Sequence, residues 1–203
     1  MQEQVWIVDD DQAVRNSLRM LLKSSGFTTR EFDSADSLLE EQDFSPCYCL
    51  LLDIRLPGIS GLELHQQLEA RGVQTPAIFI TGHGDIPMAV QAMQQGAVDF
   101  LTKPLHDAEL IDKVQAAIAL AREQRDKRQQ ETAVHESLAT LTDREREVMA
   151  GIVRGLSNKQ IAAELSISPR TVEVHRAHTM EKMNVNSVAN LVRLLGEAGL
   201  IDE

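Results

Sequence analysis

The chain has 203 residues, 43% of them apolar, and a formal net charge of −11, which is enough for one large domain or two modest ones with ordinary cores. No apolar run approaches the length that crosses a bilayer, and no charged segment followed by an apolar one opens the chain, so a cytoplasmic protein is expected and no membrane partner. The acid is unevenly spread: residues 1–121 hold 8 Lys/Arg against 18 Asp/Glu, whereas residues 138–203 hold 8 against 9, so a nucleic-acid role for the last third must rest on local placement of charge.

Short apolar runs alternate with amphipathic stretches through the first 121 residues. A strand is predicted at Gln4–Val8, followed by a helix at Gln12–Ser24 with Val14, Leu18, Leu21 and Leu22 at helical spacing and Gly26 as its stop. A weaker strand at Phe27–Phe32 and a short helix near Ala35–Gln42 come next. Strand Tyr48–Leu52 begins beside Cys47 and Cys49, which are expected as buried thiols because no second ligand pair accompanies them. A loop with Pro57, Gly58 and Gly61 leads to a helix ending near Arg71. Strand Ala77–Ile80, a Gly-rich loop and a helix near Ile86–Gln95 follow, then strand Val98–Leu101 and a last helix from about Asp107. Five such βα units imply a five-stranded parallel sheet covered on both faces through right-handed crossovers.

Residues 122–137 form a separate stretch. Arg122–Gln130 contains no apolar residue, Pro or Gly, and is expected as a solvated helical linker that extends the preceding helix. From Leu138 onward the pattern is helical only, so residues 138–203 are expected as a small all-α domain. Thr142-x-x-Glu145 is a capping box for a helix running toward Arg154, and Ser157-x-x-Gln160 repeats the device for Asn158–Leu165. Ser168 followed by Pro169 caps a third helix reaching about Met183, and a fourth spans Ser187–Ala198. Only Ser166 to Ser168 separate the second and third helices, the outline of a helix-turn-helix.

The strand ends carry chemistry. In a parallel sheet, ligands bind outside the carboxyl ends of the strands. Here those ends present Asp9, Asp10 and Asp11 after the first strand, Asp53 after the third, Thr81 after the fourth, and Thr102, Lys103 and Pro104 after the fifth. Gathered carboxylates repel one another and need a proton or a cation, and a few hard oxygen ligands favour Mg²⁺. One carboxylate can then act as nucleophile toward a phosphoryl donor, while a Lys and a hydroxyl engage the phosphoryl oxygens. Asp11 is expected as a helix cap.

In order and spacing, Asp9–Asp10, Asp53, Thr81 and Lys103–Pro104 resemble the receiver domains of two-component response regulators, over about residues 1–121. The segment T-G-H-G-D-I-P-M-A-V, Thr81 to Val90, is similar to the FixJ-type subgroup. The resemblance implies a flavodoxin-like (CheY-like) fold, with Asp53 as phosphoacceptor for a partner histidine kinase. It makes Asp10 a direct Mg²⁺ ligand, Asp9 a direct or water-mediated one, and the backbone carbonyl of Arg55 a further ligand. Thr81 and Lys103 would contact the phosphoryl group, Phe100 would be the aromatic switch that turns inward as Thr81 moves, and Lys103–Pro104 would be cis. Arg55 and His83 occupy positions that set the lifetime of the phosphate, although His83 is equally readable as an ordinary loop residue. FixJ-like relatives pair through the fourth helix and fifth strand, here near Ile86–Gln95 and Val98–Leu101.

The segments L-T-D-R-E-R-E-V, G-L-S-N-K-Q-I-A and S-P-R-T-V-E-V-H-R-A together resemble the LuxR-type helix-turn-helix over residues 138–203. A helical projection from Val172 turns Val172, Thr179 and Met183 inward, and Arg170, Glu173, Val174, Ala177 and Glu181 outward. Charge beside small apolar groups suits a base-reading face, so base contacts are expected from Arg170, Glu173, Val174 and Ala177. Phosphate contacts are expected from Lys159, Thr171, Arg176 and Lys182. A plain helical bundle for protein docking has the same outline. A near-neutral reader of this size is expected to act as a homodimer on an inverted-repeat operator, with RNA polymerase as a further partner.

Together these features predict a phosphorylation-dependent transcription regulator, in which the phosphate promotes dimerisation or releases the DNA-binding domain. One alternative is a Mg²⁺-dependent phosphohydrolase with an aspartyl-phosphate intermediate, but Asp53-Ile54-Arg55 puts Arg where the general acid would stand. The other is a receiver that regulates through protein contacts without phosphate.

Overall fold

Five strands alternate with helices in the first part of the chain because each apolar run is too short to stand as a helix core and too apolar to lie at a surface. The computed structural model describes residues 3–82, 90, 93 and 96–201, in two units, Met1–Gln124 and Arg125–Glu203. The first contains β1 (Gln4–Val8), α1 (Gln12–Ser24), β2 (Thr28–Phe32), α2 (Ala35–Leu39), β3 (Cys47–Asp53), α3 (Gly61–Ala70), β4 (Ala77–Thr81) and β5 (Asp99–Thr102). Helix α4 (Asp107–Ala139) begins in it.

The sheet is parallel throughout, in the order β2-β1-β3-β4-β5. This is the doubly wound arrangement expected from the sequence. Alternate residues along each strand go to opposite faces. Trp6, Val8, Leu50, Leu52 and Phe79 pack with Leu38 of α2 and Leu62, Leu64 and Leu68 of α3. Val5, Ile7, Cys49, Leu51, Ile78 and Ile80 pack with Leu18 and Leu22 of α1 and with Leu110, Val114, Ala117 and Ile118 of α4. Cys47 and Cys49 are buried thiols outside any disulfide, and burial pushes the Cys49 thiol up, so both are core residues rather than ligands. The chain reverses its direction of winding between β1 and β3, and that switch point opens a crevice at the carboxyl ends of these two strands.

Of the helix predicted at Ile86–Gln95, only Val90 and Met93 are among the described residues, and both are exposed. His83 lies outside the described residues. The mixed-charge stretch from Arg122 continues α4 without a break, and the helix reaches 33 residues. The sequence reads as a solvated linker to Ser137, yet Val134 is only 4% exposed and belongs to the core of the second unit. A lone Ala133–Val134 pair in a charged run has no period of its own, so the burial of Val134 is set by what the rest of the unit presents to it.

In the second unit, the end of α4 is followed by α5 (Asp143–Val153), α6 (Asn158–Leu165), α7 (Pro169–Lys182) and α8 (Val188–Glu197). Capping boxes at Thr142/Glu145 and Ser157/Gln160 open α5 and α6, and Ser168 with Pro169 opens α7, as the sequence predicts. The turn between α6 and α7 places Ser166 at φ 55°, and the Ile167 N–H donates back to the Ala162 carbonyl at 3.1 Å. Val148 and Ile152 of α5, Ile161 and Ala162 of α6, Val172 and Met183 around α7, and Leu191 and Leu195 of α8 close one core.

The approach of α5 to α6 depends on Gly151, because a Cβ there would stand 2.7 Å from Cγ1 and 2.9 Å from Cδ1 of the buried Ile161. Ala normally stabilises a helix interior by about 1 kcal/mol relative to Gly. Here the overlap with a stiff β-branched side chain reverses the sign, at the roughly 1–3 kcal/mol typical of overpacking. Gly151→Ala is expected to lower the unfolding transition of the second unit in a calorimetric scan and to leave that of the first unit in place.

Candidate functional sites

All four predicted strand ends meet at one edge. Asp9 follows β1 directly, Asp53 is the last residue of β3, Thr81 the last of β4, and Lys103 follows β5. Their register places Val8 beside Leu52, Asp53 beside Ile80 and Thr81 beside Thr102. Asp9 is 1% exposed and Asp53 7%, whereas Asp10 points to solvent. Carboxylate oxygens of Asp9, Asp10 and Asp53 lie within 4.8 Å of one another.

Lys103 holds this cluster together. Its Nζ donates to Asp9 Oδ2 at 2.9 Å and to Asp53 Oδ2 at 2.6 Å. Burial drives the Asp9 carboxyl above its ordinary value, and the Lys103 contact only partly offsets it. Burial works against the Lys103 charge as well, but its hydrogen bonds to Asp53 and Asp9 outweigh that cost and raise it overall. The Lys103–Pro104 peptide is cis, as expected. One ammonium among three carboxylates leaves the cluster net negative. Hard oxygen donors on partly buried acids are the donor set of a small divalent cation, and these residues fit Mg²⁺.

The loops around the cluster are fixed by backbone contacts. The Arg55 N–H donates to Asp53 Oδ1 at 3.0 Å, so the loop after β3 is tied to the carboxylate it follows. Asp11 caps α1, accepting from the Ala13 N–H at 2.7 Å. The Thr81 hydroxyl donates to the Gly82 carbonyl at 3.2 Å, and the Phe100 ring is 36% exposed on β5.

Two contributors escape sequence reasoning. Arg15 Nη1 donates to the carbonyls of Asp9 (2.7 Å) and Asp10 (3.0 Å), which fixes the turn that presents both acids. Gly61 begins α3 beneath β3, where a Cβ would meet the Asp53 carbonyl oxygen at 2.2 Å. In the sequence Arg15 is one more polar helix residue and Gly61 one more loop glycine. Their contacts depend on a strand end that lies distant or hidden in the linear order.

In the second unit, α7 turns Val172, Thr179 and Met183 inward and leaves Arg170, Glu173, Val174 and Ala177 exposed, as the helical projection predicts. Arg170 Nη1 donates to Glu173 at 3.0 Å. Thr171 is half-buried, bonded through its N–H and hydroxyl to Ser168 Oγ. Arg176 is braced on Asn158 Oδ1 at 3.4 Å, and Lys159 is exposed near the start of α6. Lys182 is placed differently. Its Nζ is held by Glu145 Oε2 at 2.7 Å and by the Thr140 carbonyl at 3.1 Å, an internal pairing that the local sequence does not reveal.

Glu145 is the anchor of α7. It is buried, completes the cap of α5 through the Thr142 N–H, pairs with Lys182 and has His178 Nδ1 3.7 Å away. The Thr179 hydroxyl reaches the carbonyl of the same residue. The Lys182 ammonium, followed by the Thr142 N–H, holds the Glu145 carboxyl down to about 2.

Two expectations follow. Gly61→Ala is expected to force the β3–α3 backbone apart and lower the calorimetric transition of the first unit, since the clash is with main chain and no rotamer relieves it. Because the folded-state value of Glu145 lies below its ordinary 4.5, its contribution to stability is full above that pH and fades as pH falls toward about 2. Glu145→Gln keeps the cap and loses the charge pair, so its unfolding temperature should trail the wild type at pH 7 and converge with it near pH 2.

Comparison with known proteins agrees with this geometry. Residues 5–115 match the family described as response regulator receiver domain, and residues 139–195 the family described as bacterial regulatory proteins, luxR family. The response regulator protein TodT of Pseudomonas putida is 46% identical over 190 residues, covering 94% of this chain and 84% of TodT. The transcriptional regulatory protein FixJ of Bradyrhizobium diazoefficiens is 43% identical over 199 residues, covering 98% and 97%. The solved structure of the response regulator StyR superposes with a TM-score of 0.89 at 45% identity, over 97% of this chain and 100% of that one. Receiver domains of this family use Mg²⁺, phosphorylation is their means of control, and a receiver joined to a DNA-binding domain implies a kinase and DNA as partners. The chain belongs to the FixJ-type transcriptional response regulators, which couple a receiver to a LuxR-type DNA-binding domain.

Proposed function

We propose that Asp53 accepts a phosphoryl group from the phosphohistidine of a partner sensor kinase, and that this controls sequence-specific DNA binding through α7. The observation that carries this reading is the Lys103 ammonium bridging the buried carboxylates of Asp9 and Asp53 at a parallel-sheet edge. An Asp53 oxygen attacks phosphorus, a P–O bond forms, and the P–N bond to the kinase histidine breaks. Asp9, Asp10, Asp53 and the Arg55 carbonyl would hold Mg²⁺, whose charge offsets that of the phosphoryl oxygens. Lys103 remains as the protein's own cation beside the phosphoryl group.

Thr81 is placed to report the event. Its hydroxyl turns from the Gly82 carbonyl toward a phosphoryl oxygen, and Phe100 on the neighbouring strand leaves its exposed position to fill the space vacated. That describes two packed states with a biased population, the energy of the bias coming from the new phosphoryl contacts. Arg55, and His83 beyond the described residues, tune the lifetime of the phosphate. The altered face promotes pairing of two chains, and the pair reads an inverted-repeat operator and presents itself to RNA polymerase. Residues 1–121 act as the receiver, 122–137 as its connection and 138–203 as the reader. Base contacts come from Arg170, Glu173, Val174 and Ala177, and phosphate contacts from Lys159, Thr171 and Arg176. Lys182 is left to its partner Glu145.

Sedimentation with and without beryllofluoride plus Mg²⁺ tests the reading. Wild type is expected to shift from monomer to dimer, and Asp53→Asn to stay monomeric. A shift in both would remove Asp53 from the switch, and no shift in either would point to release of the DNA-binding domain or to a receiver that works without phosphate.

A further inference from the structure

Glu173 is an acid on the exposed face of α7, among residues whose other members, Arg170, Val174 and Ala177, suit contact with DNA. A carboxylate facing a polyanion lowers affinity for duplex in general, so its place among the base-contacting residues has to be offset by a gain in specificity. Fold stability does not supply one. Its partner among the described residues is Arg170, and the two side chains are 85% (Arg170) and 51% (Glu173) exposed, so water and salt screen the pair. Glu173 is the fifth residue of α7, beyond the first turn where the helix macrodipole favours an acid.

The pair does accomplish something geometric. A guanidinium offers five N–H groups in a planar fork, and Arg170 Nη1 donates to Glu173 Oε2 at 3.0 Å. With one edge of the fork held, the remaining N–H groups are oriented for the two acceptors of guanine, O6 and N7, and less ordering is required on binding. Where a base pair does not offer both acceptors, the held guanidinium finds no bidentate partner and the desolvation of the Arg170–Glu173 pair goes unrewarded. The same residue thus rewards the right base and penalises the wrong ones.

We propose that Glu173 is a specificity-determining residue that braces the Arg170 guanidinium to read a guanine in each half-site. The inference rests on α7 being the DNA-reading helix.

The test uses the full-length chain, with beryllofluoride and Mg²⁺, selecting from duplexes with a randomised core. Wild type is expected to enrich a guanine at one fixed position of each half-site, and Arg170→Ala to lose that preference, about 5- to 150-fold for one bidentate contact. Glu173→Gln is expected to lower the guanine preference about tenfold while raising affinity for unrelated duplex. Circular dichroism of each variant should match wild type. Equal tightening of Glu173→Gln on all duplexes, with guanine preference intact, would overturn the proposal and leave Glu173 as an exposed acid. Selection of no sequence by wild type, with duplex binding unchanged in Arg170→Ala and Arg176→Ala, would instead overturn the assignment of α7.

Discussion

Three carboxylates gathered at the edge of a parallel sheet repel one another, and the first unit is organised around that repulsion. Parallel strands deliver all their carboxyl ends to one side, so any acid that follows β1 or β3 must face the others across the switch point. Burial of Asp9 and Asp53 makes the repulsion worse by removing water. Lys103 supplies one positive charge and two short hydrogen bonds, and Arg15 and Arg55 hold the loops through backbone groups. The cluster remains short of positive charge. Hard oxygen donors with too little positive charge between them are the donor set of a divalent cation, and receiver domains of this family use Mg²⁺.

The second unit solves a different electrostatic problem. A reader with almost no net charge cannot rely on general attraction to DNA, so the orientation of α7 matters more than the field around it. Glu145 fixes that orientation from within, since one carboxylate caps α5 and pairs with the far end of α7. The pairing ties the Lys182 ammonium to Glu145, while Arg170, Val174 and Ala177 stay exposed along α7. A charge inside the fold is thus traded for precision in how the exposed helix is held.

In both units a glycine sets how closely a supporting helix packs. Gly61 allows α3 to lie against the Asp53 main chain, and Gly151 allows α5 to lie against α6. Each sets how closely a supporting helix approaches, and small changes in that approach move the side chains above it because cores are packed without slack.

The order of elements, the two-faced sheet and the identity of the strand-end residues were legible in the linear chain, because period, caps and run length are local properties. Val172, Thr179 and Met183 could be assigned inward from spacing alone, and Asp11 could be recognised as a cap. What spacing could not convey was which distant groups meet. Lys182 reads as a surface cation until Glu145, 37 residues earlier, is found against it. Val134 reads as part of a solvated run until the core of the second unit closes over it. Arg15 and Gly61 gain their roles only from the strand ends they support. By itself the sequence determined the elements and the chemistry available at their ends; the tertiary structure alone decided which charges are paired and which stay free, since ion pairs and close approaches depend on distance through space rather than along the chain.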